Sequence, residues 1–229
     1  MRYLRAPDGT ELIVDRGSLK SLPRFKFPGC VKLVSTSQDE HEAIANLSHE
    51  RIIGFDSESK IRAPNESKTA PCLLQLSSHD FCYIWRVSAP SIPFSVRSIL
   101  ESDAIVKVSQ GAIGEVTTLA SSFTDLEPRA FLCIYNLATS LRCLPRSLHG
   151  LVGIFLKRNL DKSLCTSDWS SPILSEAQLE YAATDAFAAL QVLLAMRAAF
   201  KVDVLPQEIL IDSTALGFAR PGVHASLRL

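Results

Sequence analysis

The chain has 229 residues and balances 24 basic against 24 acidic side chains, so it lacks the broad positive field of a strong nonspecific nucleic-acid binder. A hydrophobic share of 47% with positive mean hydropathy supplies a sizeable core, which excludes a disordered chain, and no repeat or low-complexity tract points to a solenoid. The apolar runs read as too short for a bilayer, the N-terminus lacks a signal-type hydrophobic centre, and Asp8, Glu11 and Asp15 argue against the transit peptide that Arg2 and Arg5 hint at.

Residues 1–29 mix prolines, glycines and charges and read as an N-terminal extension that orders against a partner or the flank of a domain over 30–200. Ser37 with Glu40 predicts a capping box opening a short helix through Leu47. Ile52, Ile53 and Phe55 predict a strand covered on both faces and ending at Asp56, followed by a polar loop from Lys60 to Lys68. Strands Cys72–Leu76 and Phe81–Val87, a helix near 94–101, a strand from Ile105 to Val108 and a helix from Gly111 to Ser122 come next. A strand near 131–134 precedes helices near 136–141 and 148–156. From Ser175, capped with Gln178, apolar positions recur at helical spacing to about Phe200. Residues 201–229 hold Ile209, Leu210, Ile211 and Leu216 without helical spacing and read as a tail. The order predicts an α/β fold, a mixed and partly antiparallel sheet of about five strands flanked by helices on both faces. Six scattered cysteines without a C-x-x-C pair read as free thiols in a reducing compartment, hence an intracellular chain.

The chemistry is concentrated in acids. Residues two apart on a strand share a side, so Asp56 and Glu58 converge at the end of a buried strand. Two such carboxylates repel and are costly to desolvate; either one takes a proton or a cation sits between them, and hard divalent ions favour an all-oxygen shell. An isolated D-x-E is usually the polar start of a loop, and its weight here comes from the last helix. There Tyr181 and Asp185, four apart, share a face among small alanines that let a helix approach a sheet.

Several ordered segments then resemble one family, the DEDD superfamily of 3′-5′ exonucleases in its tyrosine-bearing branch, which includes ribonuclease D and the Werner helicase exonuclease domain. FDSES resembles its first motif, SKTAPCLLQLSSHDFCYIWRV the strand pair that follows, KVSQGAIGEVTTL the second motif, SLHGLVGIFLKRNLDKS and SDW the connecting region, and LSEAQLEYAATDA the third motif. The resemblance covers roughly residues 30 to 200 and implies a ribonuclease-H-like fold. It further implies a two-metal site for Mg2+ or Mn2+ held by Asp56, Glu58, Glu115 and Asp185, with Tyr181 orienting the attacking water. Nucleoside monophosphates are then released from the free 3′ end of a single strand of RNA or DNA, with RNA slightly favoured. The family's second motif carries aspartate where this chain has Glu115, and the corresponding acid helps to hold the looser of the two ions.

Between Arg142 and Lys162, the residues Arg142, Arg146, Lys157, Arg158 and Lys162 face Asp161 alone, a surplus of four positive charges suited to a phosphate backbone or simply to a solvated helix face. Phe25, Phe27, Tyr83, Trp85 and Trp169 are candidates for base stacking; core packing is the usual fate of such residues, and Trp169, in the polar run Thr166–Ser171, is the one expected to be exposed. The polar loop after Asp56 is the expected entrance for substrate. No histidine or serine falls in a hydrolase-like spacing. Neutral charge and an altered second motif also fit a different class, an inactive exonuclease-fold subunit of a ribonucleoprotein or RNA-processing complex. Protein partners of that kind are expected on either reading, and a membrane is not.

Overall fold

A seven-stranded sheet in the order β1-β4-β3-β2-β5-β6-β7 forms the spine of the chain. The computed structural model describes residues 4–60, 70–201, 210–213 and 216; the expected polar entrance loop lies almost wholly outside the described residues. The strands are β1 (Cys30–Val34), β2 (Ile52–Ser59), β3 (Pro71–Ser77), β4 (Phe81–Arg86), β5 (Val106–Ser109), β6 (Phe131–Cys133) and β7 (Leu210–Ile211). The neighbouring pairs β1/β4, β2/β5 and β5/β6 run parallel and the other three antiparallel, so the sheet is mixed as expected, with two strands more than the sequence suggested. The additions are the two edges. Cys30–Val34 is an edge strand, mostly half-buried, and two residues of the tail pair with β6.

Strict alternation divides the core into two layers. Phe55, Leu74, Leu76, Tyr83, Trp85 and Phe131 point to one face, where α2 (Ser37–Leu47), α3 (Phe94–Leu100) and α4 (Ala112–Ser122) cover them. Leu73, Cys82 and Ile84 point to the other, against Tyr181, Ala182, Ala183 and Phe187 of the long C-terminal helix. Among the shorter helices, α1 is Arg16–Leu19, α5 is Ile134–Ser140 and α6 is Leu148–Leu151, which continues as a π-helical turn to Leu156; the long helix α7 is Glu176–Phe200. The N-terminal arm lies along the α7 side and buries Ala6, Leu12, Leu19 and Phe27. Phe27 meets the Phe187 ring edge-on at 5.0 Å.

Two local expectations change. The cap of α2 is Thr36, one residue earlier than predicted: its hydroxyl accepts from Asp39 N at 3.1 Å and the Asp39 carboxylate accepts from Thr36 N at 2.9 Å. Thr36 rather than Ser37 has the extended backbone that a cap requires (φ −129°, ψ 159°). The α7 cap is as predicted, Ser175 with Gln178. At 25 residues α7 is also long and apolar enough by composition to cross a bilayer, contrary to the reading of the apolar runs. Its most apolar window is 67% buried inside this fold, and a helix wrapped by protein on nearly all sides is apolar all round for that reason.

Close approach of α7 to β2 needs the absence of a side chain at Gly54, where an added Cβ would lie 1.9 Å from the carbonyl oxygen of Ala186. A backbone atom cannot swing away. Gly54→Ala should therefore cost about 3 kcal/mol in urea unfolding, at the upper end of overpacking effects. Gly114→Ala in α4, where the added Cβ meets nothing within 4 Å, should be neutral or stabilising by up to about 1 kcal/mol. Equal effects at the two glycines would show that the helix is not seated on the strand in this way.

Candidate metal centre

Among the described residues, β2 pairs with β5 through Ile52–Gly54 and has no strand beside it on that side from there to Ser59, while β3 accompanies it from Gly54 onward. The projecting half carries the acids. Gly54, Asp56 and Glu58 share the α7 face, and Phe55 and Ser57 share the other, where Phe55 meets the Phe131 ring edge-on at 5.2 Å. Opposite the acids, one turn of α7 separates Tyr181 from Asp185. One carboxylate oxygen from each of Asp56, Glu58 and Asp185 comes within 4.8 Å of the others, across more than a hundred residues of chain.

Asp185 is only 3% exposed. Its Oδ2 accepts from Lys162 Nζ at 2.6 Å, and its Oδ1 is buried with no hydrogen-bond partner among the described residues. A buried carboxylate oxygen left without a donor is costly unless something binds it. Burial first, then the charges of Asp185 and Glu58, hold Asp56 well above the ordinary carboxylate range. Burial first and then Asp185 push Glu58 up to about 8, and burial also raises Asp185. Lys162 pulls all three back down. Hard oxygen donors, mutual repulsion and an orphaned oxygen fit a divalent cation held by Asp56, Glu58 and Asp185.

Tyr181 is buried, and burial followed by the Asp185 charge pushes its phenol above its usual value, so it can donate a hydrogen bond and does not act as a base. Trp169 packs on it with ring centroids 5.7 Å apart. This corrects the expectation that Trp169 is exposed: it is 1% exposed, because Gln178 Nε2 donates to Ser167 Oγ at 2.8 Å and to the Asp168 carbonyl at 3.1 Å and pins the polar run onto the start of α7. Phe27, Tyr83 and Trp85 are core residues, as is usual for such side chains.

Glu115 lies in the first turn of α4 as expected, but it is not one of the three converging acids. Its Oε2 accepts from Ser57 Oγ at 2.6 Å, on the far side of β2, and its charge still raises Asp56 and Glu58. Ser57 and Gln75 are not among the expected site residues: the alternation of D-S-E already puts Ser57 opposite the acids, and Gln75 is fully buried opposite Asp56 in β3 with neither amide atom bonded among the described residues.

The basic residues do not form one row. Lys162 is in the acid cluster, and Arg146 is tied near the end of β5 by Gln110 Nε2, which donates to its carbonyl at 2.6 Å. Lys157 lies beside Asp8, whose carboxyl is held below its ordinary value first by hydrogen bonds from Thr10 and last by the Lys157 charge, and Asp8 N donates to the Ala199 carbonyl at 3.3 Å. That position is roughly 20 Å along α7 from Asp185 at the helical rise per residue. Arg142 and Arg158 are exposed.

An all-carboxylate trio on a mixed α/β sheet fits the class of divalent-metal sites that carry phosphoryl chemistry. Residues 31–200 match the 3′-5′ exonuclease family, and the chain belongs to it. Its order of motifs and Tyr181 put it in the tyrosine-bearing DEDD branch, with a ribonuclease-H-like fold. The chain is 32% identical over 180 residues to the bifunctional 3′-5′ exonuclease/ATP-dependent helicase WRN of Mus musculus, covering 74% of this chain and 13% of that protein. It is 31% identical over 185 residues to exonuclease 3′-5′ domain-containing protein 2 of Drosophila melanogaster, covering 77% and 30%. The chain thus spans less than a third of these relatives' length. The crystal structure of Escherichia coli RNase D superposes with a TM-score of 0.65 at 20% identity, over 75% of this chain and 45% of that one, and shares the fold.

The raised carboxylates set a pH dependence. Glu58 keeps its proton in the folded state up to about pH 8, whereas the unfolded state loses it near 4.5, so the contribution of this group to stability is full below about 4.5 and is lost as pH rises to 8. In chelator, the melting midpoint of the wild type relative to Glu58→Gln should fall by a few degrees between pH 5 and pH 8. Millimolar MnCl2 should remove that fall. A pH-independent difference would mean that the acids do not share one field.

Proposed function

We propose that this chain is an active, metal-dependent 3′-5′ exonuclease that takes a single strand by its free 3′ end and releases nucleoside monophosphates. Single-stranded RNA ranks slightly ahead of DNA, in keeping with the likeness to ribonuclease D. The observation that carries the reading is the convergence of Asp56, Glu58 and Asp185 within 4.8 Å, with an unpartnered Asp185 oxygen beside Tyr181.

Asp56, Glu58 and Asp185 would hold a Mg2+ or Mn2+ ion, which when bound supplies a water of lowered pKa and neutralises charge on the scissile phosphate. The rest falls to the chain. Tyr181, fixed by Trp169 and by its place on α7, donates to the attacking water and sets its line of approach. Glu115, held by Ser57 within electrostatic reach of the strand acids, would be the residue to help hold a second ion. Arg146, at the same end of the sheet, and exposed Arg142 and Arg158 contribute phosphate contacts on the approach. Partner proteins of an RNA-processing assembly would bring the chain to its substrate, since its net charge of zero provides little long-range attraction.

The test is a gel assay on 5′-labelled RNA and DNA 20-mers with free or blocked 3′ ends. A ladder of shortened strands should form only with Mg2+ or Mn2+ and only from free ends, and Asp185→Asn should lower the rate about a hundredfold or more. Glu115→Asp reports on the second motif: a faster ladder makes the longer arm a handicap. Intact strands at every metal concentration, from protein that keeps its fold, would favour the alternative of a structural subunit of a ribonucleoprotein complex. The position of Glu115 outside the trio is the observation on that side.

A further inference from the structure

We propose that Lys162 is a resident counter-cation of the acid cluster, occupying the electrostatic place of the metal and leaving Asp185 when a divalent ion enters, so that it sets the metal affinity. This rests on the reading of Asp56, Glu58 and Asp185 as a metal centre.

Four observations support it. Lys162 Nζ lies 2.6 Å from Asp185 Oδ2, and Asp185 is the most deeply buried of the three acids. The same ammonium lies 5.5 Å from the centroid of the Tyr181 ring, so it sits at the junction between the aromatic wall and the carboxylates. One oxygen of each of Asp56, Glu58 and Asp185 lies within 4.8 Å of the others, so an ammonium bonded to Asp185 stands beside the whole cluster and not one acid alone. The side chain is 38% exposed, although the acid it holds is 3% exposed. The head group therefore has a path to solvent while its segment stays anchored: Asp161 Oδ1 accepts from Ser163 N at 2.8 Å, and Asp161 faces Arg24 at 3.5 Å.

The physical argument is one of charge balance. Three acids packed at a buried strand end need positive charge, and an ammonium on a flexible stem provides it without fixed geometry. A divalent ion provides more charge and takes the same carboxylate oxygens, so ammonium and metal compete for Asp185. The pair stabilises the metal-free fold and weakens metal binding by the strength of a bond that must be broken. A lysine whose task was to grip phosphate would instead lie outside the carboxylates and leave metal binding untouched.

The experiment uses metal-stripped full-length protein at pH 8, titrated with MnCl2 and followed by calorimetry and by the melting midpoint. Lys162→Met should bind Mn2+ about tenfold more tightly than wild type, the change expected when a charge-assisted hydrogen bond no longer competes. It should melt lower than wild type in chelator and recover to at least the wild-type midpoint at saturating Mn2+. Lys162→Gln, which keeps a polar head without charge, should change in the same direction and stands in if the methionine variant fails to fold. Unchanged or weaker Mn2+ binding in both variants would overturn the proposal, as would a lowered midpoint that Mn2+ does not restore. A raised KM for oligonucleotide with unchanged Mn2+ binding would assign Lys162 to phosphate instead. If neither wild type nor variants bind Mn2+, the metal-centre reading itself fails, and the proposal with it.

Discussion

The carbonyl of Ala186 lies where a side chain of residue 54 would be, and the placement of the acids follows from this contact between backbone and backbone. Because Gly54 has no Cβ, α7 settles onto β2 close enough for Asp185 to reach the two acids that follow Gly54 on the same face. The alanines around Asp185 are the helix's share of that approach: Ala182, Ala183, Ala186, Ala188 and Ala189 are all buried. Small residues on both elements thus bring together charges that repel each other. The packing energy of a 25-residue helix embedded in the core opposes that repulsion.

The cluster is held in an unrelaxed condition. Burial and mutual repulsion raise its carboxylates, Asp185 Oδ1 has no well-formed hydrogen bond among the described residues, and Lys162 and the Tyr181 hydroxyl supply partial relief. Such a site is prepared for charge it does not itself contain. The aromatic wall adds rigidity: Gln178 caps α7 and also ties down the loop that presses Trp169 against Tyr181. One side chain therefore fixes both the start of the helix and the orientation of the phenol beside its acid.

Much of this could be read in the amino acids because the signals were local and periodic. The D-S-E alternation at the end of an apolar run, the capped start at Ser175 and the four-residue step from Tyr181 to Asp185 each depend on geometry that the chain carries within a few residues. What could not be read depends on contacts made far along the chain. Trp169 sits in a polar run and is buried all the same, because the residues that cover it come from α7 and the sheet. Lys162 counts as one of five basic residues in sequence, and only the fold separates it from Lys157. The edge strands escaped because β1 is half-buried and β7 is two residues long, too little for a pattern to register.

Ser57 has a consequence of its own. Its hydroxyl points away from the acids of its own strand and donates to a carboxylate on the opposite layer of helices. The trio is therefore built into the central strand and the core helix, whereas Glu115 belongs to α4, on the other layer, and accepts a hydrogen bond there from Ser57. A substitution at Glu115 therefore alters the charge beside the centre from the opposite layer, without touching the strand face and helix face that carry the trio.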